Sequence, residues 1–311
     1  MGQVTAIIPA FGHEVLTQEA VSRLRRQTTP PMEIIVVDDG SGVPFAPAAG
    51  ARVLRHDSNL GFAAAVNTGL RAAQTGLVAI INNDVTLAPD WLERLESVIS
   101  TQKADFACGK LYRPDGLIDG TFDLLSRGGL AWRAGAGRPD GPLWSRPQAI
   151  AFTSFTAVLG KAEAFRQGGG MDESYHSYYE DVEWSLRAAM LNKTGYFEPA
   201  ATGIHTGSAT AGAWSDYSTR QILRNHRRLA CQYLLPEYGA QYRIARSLLR
   251  AHCLHQGRWP DVPREAIQGK PRLARMASLL QESERLLYEL QMASGPDRLW
   301  RWYFRLAGRP S

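Results

Sequence analysis

Short apolar runs alternate with segments of helical periodicity over the first hundred residues of the chain. The runs cover residues 4–8, 33–37 and 77–81, and residues 52–55 predict a further strand, the third along the chain. Apolar runs of this length are typical of parallel strands that are buried on both faces. Between them, the spacing predicts a helix that Pro30 and Pro31 end and an alanine-rich helix over residues 62–73. This alternation predicts an α/β fold with an open, mostly parallel sheet flanked by helices.

The pattern changes after residue 109. Residues 110–143 are rich in glycine, proline and arginine and predict a long loop, which could cover a second substrate. Residues 150–159 predict a strand, and an acidic helix is expected at Glu180. Beyond residue 218 the chain is helical in pattern and basic, with a net charge of +10 over residues 220–311 against −5 over residues 1–219. We therefore predict one domain over residues 1–219 and a basic helical region over residues 220–311.

Composition narrows the class of protein. The chain has 311 residues with 44% hydrophobic content, enough for one large domain and an appendage. It contains neither an uncharged apolar run of eighteen residues nor a basic leader, so we expect a cytoplasmic protein. GxGxxG after the first strand, GxxxxGK[ST], HExxH and GxSxG motifs are all absent. Their absence argues against nicotinamide binding, P-loop chemistry, zinc proteolysis and serine hydrolysis.

Polar residues follow three of the predicted strands where each ends. They are Pro9–Gly12 after the first strand, Asp38–Ser41 after the second and Asn82–Asp84 after the fourth. Ligands of open parallel sheets gather beyond the carboxyl ends of the strands. One crevice can therefore collect all three groups.

Asp84 is a candidate metal ligand. Mg²⁺ and Mn²⁺ favour oxygen ligands, and Mg²⁺ is commonly held by one or two carboxylates together with substrate phosphates. His205, which follows a short predicted strand, is a candidate second ligand. The structural alternatives are a plain turn at Asn82–Asp84 and a structural role for a lone histidine.

Asp38 and Asp39 could accept hydrogen bonds from the base or ribose of a nucleotide. The alternative is that Asp-Asp-Gly-Ser simply forms a turn.

Glu180 and Asp181 are candidates for a general base that deprotonates a hydroxyl group. They begin a helix whose apolar stripe is formed by Val182, Leu186 and Met190, and helical phase does not choose between the two carboxylates. The alternative is that both acids only complement the helix dipole.

Taken in order, six blocks resemble the inverting family 2 glycosyltransferases of GT-A fold, and within them the bacterial rhamnosyltransferase-like branch. The blocks are residues 4–11 (VTAIIPAF), 35–41 (IVVDDGS), 59–69 (NLGFAAAVNTG), 81–85 (INNDV), 169–173 (GGMDE) and 179–183 (YEDVE). The resemblance implies a GT-A fold, Rossmann-like with a mostly parallel sheet flanked by helices, which this chain extends with C-terminal helices. It covers about two thirds of the chain.

The resemblance also implies roles for single residues. Asp181 of the Glu180–Asp181 pair would be the base, Asp84 would hold a divalent cation (Mg²⁺ or Mn²⁺) on the diphosphate, and His205 would lie near that cation or the diphosphate. The nucleotide contacts would be Pro9, Phe11, Asp38, Asp39, Asn59, Gly61, Asn67 and Asn83. Two residues depart from the common family pattern: Asn82 replaces an aspartate, which predicts weaker metal binding, and Gly12 replaces an asparagine.

The expected partners are a nucleotide-diphosphate sugar, such as dTDP-rhamnose or a UDP-sugar, and a glycan or lipid-linked acceptor of cell-envelope polysaccharide biosynthesis. The aromatic and basic segment 299–305 (LWRWYFR) could contact an anionic membrane, although a solvated helix or an oligomer contact would also explain it. No nucleic-acid motif accompanies the basic region, so we expect no nucleic-acid partner.

Two other functional classes stay open. A sugar-nucleotide nucleotidyltransferase would share the sheet and the metal, but it would normally carry a glycine-rich basic loop after the first strand. A catalytically silent sugar-nucleotide binding module would keep Asp38 and Asp84 without using Asp181.

Overall fold

A computed structural model describes residues 4–46, 50–167, 169–207, 215–235, 237–258, 262, 266–270 and 275–310 of the protein. The chain divides into two compact units. The first comprises Met1–Phe122 and Gly135–Thr210, and the second comprises Asp123–Ala134 and Ala211–Ser311. The sequence pattern does not indicate that residues 123–134 group with the C-terminal helices. The predicted domain boundary after residue 219 stays a prediction.

Within the described residues, ten strands of the first unit form one sheet. The strands of the chain are β1 (Val4–Ala10), β2 (Glu33–Asp38), β3 (Arg52–Arg55), β4 (Leu77–Ile81), β5 (Val85–Leu87), β6 (Phe106–Tyr112), β7 (Ile118–Gly120), β8 (Asp123–Leu125), β9 (Ala131–Arg133), β10 (Gln148–Ile150), β11 (Ala157–Lys161) and β12 (Gly195–His205). The order across the sheet is β10-β12-β6-β11-β4-β1-β2-β3, with β5 beside β12 and β7 beside β6. Strands β8 and β9 form a separate hairpin in the second unit.

The half of the sheet formed by β3, β2, β1 and β4 is parallel. All seven residues of β1 are buried, because helices cover both faces of a sheet built by strand-helix alternation. Strand β11 runs antiparallel between β4 and β6, and β6 runs parallel to β12. The predicted α/β class, with a large sheet and helices at the C-terminus, is confirmed.

Helices flank the sheet and fill the second unit. They are α1 (Glu14–Arg25), α2 (Phe62–Ala72), α3 (Trp91–Thr101), α4 (Ala162–Gln167), α5 (Glu180–Met190), α6 (Asp216–Leu229), α7 (Gly239–His255), α8 (Met276–Ser294) and α9 (Arg298–Ala307). Helix α2 approaches β1 closely because Gly69 has no side chain, and a Cβ atom there would lie 2.4 Å from Ile7 Cγ2. None of the helices in the described ranges is long and apolar enough to span a membrane.

Two local predictions are wrong. Residues 110–143 are not one long loop, since they contain the three-residue strands β7, β8 and β9. Residues 150–159 are not one strand either, because residues 151–156 separate β10 from β11. Strands this short have too few positions to show an alternating pattern, and pairing with distant parts of the chain forms them.

A buried polar network attaches the β8–β9 hairpin to the helices of the second unit. The Glu284 carboxylate pairs with the Arg127 guanidinium and also accepts hydrogen bonds from Arg127 N (3.2 Å) and Tyr303 Oη (2.7 Å). Ser283 Oγ accepts a hydrogen bond from Leu125 N (2.8 Å), and His226 Nε2 lies 2.9 Å from Gly128 O. We call this group of contacts the hairpin latch.

Candidate functional site

Asp84 and His205 lie side by side in the first unit. Asp84 Oδ1 is 3.3 Å from His205 Nε2, and Asp119 Oδ2 is 2.9 Å from the other ring nitrogen, Nδ1. Burial disfavours the imidazolium, but the hydrogen bonds and charges of Asp119 and Asp84 outweigh it and raise the pKa of His205 to about 9. Without a bound cation, His205 is therefore an imidazolium ion between two carboxylates, and a metal ion would have to displace its Nε2 proton.

Strand pairing places these groups together. Strand β5 runs antiparallel to β12 with Val85 opposite His205. Asp84, the residue before Val85, therefore lies next to the histidine. Thr206 then donates two hydrogen bonds to Asp84 O, from its backbone N (3.1 Å) and from Oγ1 (2.9 Å). Asp119 is the middle residue of β7, which pairs with β6 beside β12.

The residues present fit a divalent cation bound with few protein ligands. A histidine that binds a metal through one nitrogen usually donates from the other to a carboxylate, as His205 can do to Asp119. Asn82 Oδ1 is buried and has no hydrogen-bond donor among the described residues, so an oxygen acceptor is available near Asp84. No group of three or more His, Cys, Asp or Glu side chains in those ranges is arranged to hold a metal. The remaining ligands would have to be water or phosphate oxygens.

Asp38 lies at the end of β2 and is fully buried. Its carboxylate accepts hydrogen bonds from Ser41 N (2.9 Å) and Phe45 N (3.4 Å) and pairs with the Arg55 guanidinium. Burial alone would raise the pKa of Asp38, but the hydrogen bonds from Ser41 and Arg55 outweigh it and lower the pKa. The carboxylate therefore organises the turn after β2.

Asp39 organises the loop that leads into α2. Its Oδ1 accepts hydrogen bonds from Leu60 N (2.9 Å) and lies 2.7 Å from His56 Nδ1, while its Oδ2 accepts one from Gly61 N (2.8 Å). Gly61 has φ +95, and a Cβ atom there would lie 2.6 Å from the His176 ring, so a side chain is excluded at this position.

The other predicted nucleotide contacts differ in exposure. Pro9 is buried within β1, whereas Phe11 and Asn59 are exposed beyond strand ends. Asn67 is buried, and it joins α2 to the segment before α5: its Oδ1 accepts from Met171 N (2.8 Å) and its Nδ2 donates to Met171 O (2.9 Å) and to Glu173 Oε1 (2.8 Å). Asn67 thus has a positioning contact in the structure, and its predicted contact with a nucleotide stays a prediction.

Asn83 is half-buried and makes a contact within the first unit. Its Nδ2 donates to Thr17 Oγ1 of α1 over 3.0 Å. Its predicted contact with a nucleotide also stays a prediction.

Glu180 and Asp181 begin α5 after a strained turn. Tyr178 and Tyr179 both have positive φ, +66 and +72, which residues with a side chain rarely adopt. Asp181 is half-buried and accepts hydrogen bonds from Val182 N (2.8 Å) and Phe155 N (3.4 Å). Glu180 is buried, with 6% of its surface exposed.

The loop over residues 153–156 forms hydrogen bonds both with Asp181 and with the segment that contains Asp84. Phe155 N donates to Asp181, and the next residue, Thr156, accepts a hydrogen bond from Asn82 N over 2.9 Å. Asn82 is two residues from Asp84. Asp181 and the Asp84–His205 pair are therefore at the same edge of the sheet, beyond the carboxyl end of β4.

A match to a family model covers more than half of the chain: the model described as glycosyl transferase family 2 matches residues 5–167. The chain belongs to glycosyl transferase family 2. The matched region includes β1 to β4, Asp38, Asp39 and Asp84, whereas Asp181 and His205 follow it.

Two relatives with glycosyltransferase names are similar to this chain in sequence. A pre-mycofactocin glycosyltransferase of Mycobacterium tuberculosis is 29% identical over 217 residues, which cover 68% of this chain and 44% of that protein. An N-acetylglucosaminyl-diphospho-decaprenol L-rhamnosyltransferase of the same organism is 28% identical over 221 residues, 62% of this chain and 72% of that protein. The family 2 chain thus spans less than half the length of the first of these relatives.

A solved structure shares the fold. The crystal structure of GalNAc-T7 with UDP, GalNAc and Mn²⁺ aligns with a TM-score of 0.64 at 14% identity, over 98% of this chain and 56% of that one. The predicted GT-A fold and the resemblance to family 2 are confirmed.

Asp119, Arg55, His56 and His176 are further candidate site residues that the sequence analysis missed. Asp119 lies in the region wrongly predicted as a loop, where the neighbouring residues give no local signal. Arg55 is the last residue of the third predicted strand and His56 follows it, so the carboxyl end of that strand could have indicated both.

Proposed function

We propose that this family 2 chain transfers a sugar, with inversion, from a nucleotide-diphosphate donor to a hydroxyl group, with Asp181 as the general base. The observation that carries the proposal is the position of Asp181 and the Asp84–His205 pair at one edge of the sheet, joined through residues 153–156. Inverting transfer needs these two functions close together, since the acceptor attacks as the diphosphate leaves.

In the proposed mechanism, Asp181 takes the proton of the acceptor hydroxyl during attack on the anomeric carbon. The two backbone N–H groups that bind its carboxylate hold the side chain in place. Asp84 and His205 would hold the divalent cation, and Asp119 would fix the orientation of the imidazole. A bound cation would neutralise negative charge on the nucleoside diphosphate leaving group.

The donor is proposed to be a UDP- or dTDP-sugar. This rests on the rhamnosyl activity in one relative's name and on the UDP in the solved structure. Asp38 and Asp39 already bind backbone groups of the surrounding loops, so we propose that they shape the nucleotide site chiefly by holding those loops. Phe11 and Asn59 are the exposed candidates for direct contact with the nucleotide.

The decisive experiment compares the wild type with Asp181→Asn. We expect D181N to reduce transfer by about 10²- to 10⁴-fold, the usual contribution of a general base, because the amide cannot accept the proton. A thermal-shift screen of UDP-, dTDP- and GDP-sugars with and without Mn²⁺ should show donor binding by both proteins, since a ligand of the native state raises apparent stability.

Other outcomes would identify the alternatives. Donor binding without transfer by the wild type, across a panel of glycan and lipid-linked acceptors, would indicate a silent binding module. Formation of a sugar nucleotide from a nucleoside triphosphate would indicate a nucleotidyltransferase. Full transfer by D181N would reject Asp181 as the base.

We further propose a cytoplasmic protein that contacts an anionic membrane, where a lipid-linked acceptor of cell-envelope polysaccharide would be found. Helix α9 buries Trp300, Tyr303 and Phe304 and exposes a different face. The exposed face consists of Arg298, Arg301, Trp302, Arg305 and Leu306, with Trp302 and Leu306 exposed by 41% and 55%. Arginines beside an exposed tryptophan are typical of surfaces that bind anionic lipid interfaces.

Liposome flotation tests this contact. The wild type should float with vesicles that contain anionic lipid and less with neutral vesicles, and R298Q/R301Q/R305Q should lose the difference. R309Q, a change at an exposed arginine outside the helix, is the control. Equal recovery of the wild type with and without vesicles would reject the proposal.

A further inference from the structure

Two glutamates of α5 are buried but have different surroundings. Glu183 is fully buried, and both of its carboxylate oxygens accept hydrogen bonds from Arg187, from Nε over 3.1 Å and from Nη2 over 2.7 Å. Glu180 is 6% exposed, and its Oε2 is buried without a hydrogen-bond donor in the described part of the chain. The same helix thus carries one buried glutamate with a cationic partner and one without.

The two surroundings favour different protonation states. A buried carboxylate is costly unless a cation or several donors compensate for the lost water. Arg187 supplies this compensation to Glu183 and so favours its ionised form. The described residues give Glu180 no such partner, and protonation removes the charge that would otherwise be buried.

Asp181, the next residue, adds to this difference. Two backbone N–H groups bind its carboxylate, from Val182 and Phe155, and hydrogen bonds of this kind stabilise the ionised form. Burial, followed by the negative charge of Asp181, raises the pKa of Glu180 well above its ordinary value. The adjacent carboxyl groups of Glu180 and Asp181 therefore favour a state in which only one of them is negatively charged.

We infer that Glu180 is a neutral carboxylic acid that packs the first turn of α5 and leaves the single negative charge of the pair on Asp181. It is a positioning residue and not a second base. The consequence for transfer rests on the proposed function, whereas the protonation state of Glu180 does not.

Infrared difference spectroscopy of the full chain tests the protonation state directly. At neutral pH the wild type should show the carbonyl stretch of a protonated carboxylic acid that is missing in Glu180→Gln. Glu183→Gln is the matched control, since Glu183 is also buried on the same helix, and this variant should keep the band. No difference between the wild type and E180Q in this region would overturn the inference.

A second variant covers the case in which E180Q does not fold. Glu180→Leu also removes the acid, and it should lose the same band. If neither variant folds, the absence of any such band from the wild type at neutral pH still overturns the inference.

Kinetics test the positioning role. The amide of E180Q replaces a neutral acid of the same size, so the pH–rate profile of E180Q should have its acid limb at the same pH as that of the wild type. A folded E180Q as inactive as D181N, or a displaced acid limb, would overturn the assignment. If the infrared band is found but D181N transfers normally, the proposed function fails and the protonation state of Glu180 stands.

Discussion

Two carboxylates, one in each unit, have opposite surroundings. Glu284 in the hairpin latch accepts hydrogen bonds from Arg127 N and Tyr303 Oη and pairs with the Arg127 guanidinium. The Asp84 carboxylate at the sheet edge has one ion-pair partner among the described residues, His205, whose Nε2 is 3.3 Å from Oδ1. A buried acid whose oxygens are satisfied by the chain stabilises the fold, whereas an acid with spare acceptor capacity is available to a ligand. Substitutions in the latch should therefore change stability, and substitutions at the edge should change binding.

The largest stability effect is expected at Glu284. Glu284→Gln removes the charge that Arg127 faces in a site where the glutamate is 1% exposed. Breaking a buried pair by removing one partner typically costs about 3–5 kcal/mol, because the other charge is left uncompensated. Urea denaturation of the full chain should show a loss of this size.

The matched control for this variant is Glu289→Gln on the same helix, α8. Glu289 also pairs with an arginine, Arg285, but both side chains are more than half exposed. Exposed pairs contribute little to stability, so E289Q should be close to the wild type. Equal losses from E284Q and E289Q would contradict the comparison between the two surroundings.

The latch also predicts a dependence of stability on pH. Burial first, together with the charge of Arg246, lowers the pKa of His226 to about 4 despite its hydrogen bond to Gly128 O. The unfolded chain then binds more protons than the native chain between pH 6.5 and pH 4, so native stability falls as the pH falls through this window. The full loss is on the order of 3 kcal/mol.

His226→Gln should remove this dependence. The free energy of unfolding, measured from pH 7.5 to about pH 4, should fall less steeply in H226Q than in the wild type. His255→Gln, at an exposed position of α7, should keep the wild-type slope. Parallel curves for H226Q and the wild type would show that His226 is not the group responsible.

The sequence pattern predicted the strands whose side chains are buried along nearly their whole length. Residues 77–81 match β4 because a strand buried on both faces appears as a continuous apolar run. The hairpin at β8 and β9 was missed, since three-residue strands among glycine and arginine have no readable period. Its place in the second unit depends on Glu284 and Tyr303, more than 150 residues later.

The candidate site also contains some residues that the local sequence marks and others that only distant contacts bring into place. Asp84 and the Glu180–Asp181 pair could be chosen as candidates because a strand end and a helix start mark them locally, and the resemblance to the family chose Asp181 within the pair. Asp119 could not, because its contact with His205 arises only when β7 and β12 take their places beside β6. Asn67 was predicted to touch a nucleotide, but its contacts with Met171 and Glu173 depend on how α2 meets a segment about a hundred residues away.

The smallest effect is expected for a substitution of Asp119. Its measurement distinguishes a role of Asp119 in metal binding from a role in the stability of the fold. Asp119→Asn keeps the shape of the side chain but replaces the carboxylate that faces His205 Nδ1 at 2.9 Å. Loss of such a partner typically lowers metal affinity by about 10- to 100-fold, because the imidazole becomes a weaker and less well-oriented ligand. Calorimetric titration with Mn²⁺ in the presence of UDP should show this loss, while urea denaturation without metal should show little change.

Asp115→Asn is the control for D119N, since Asp115 is exposed and pairs with Arg113 rather than with the histidine. D115N should bind Mn²⁺ as the wild type does. If D119N instead destabilises the fold as much as E284Q and leaves Mn²⁺ affinity unchanged, then Asp119 and His205 form a structural pair like the one in the latch. The sheet edge would then hold its acids for the fold rather than for a ligand, because a carboxylate recruited to orient a metal-binding imidazole must matter more when the metal is present than when it is absent.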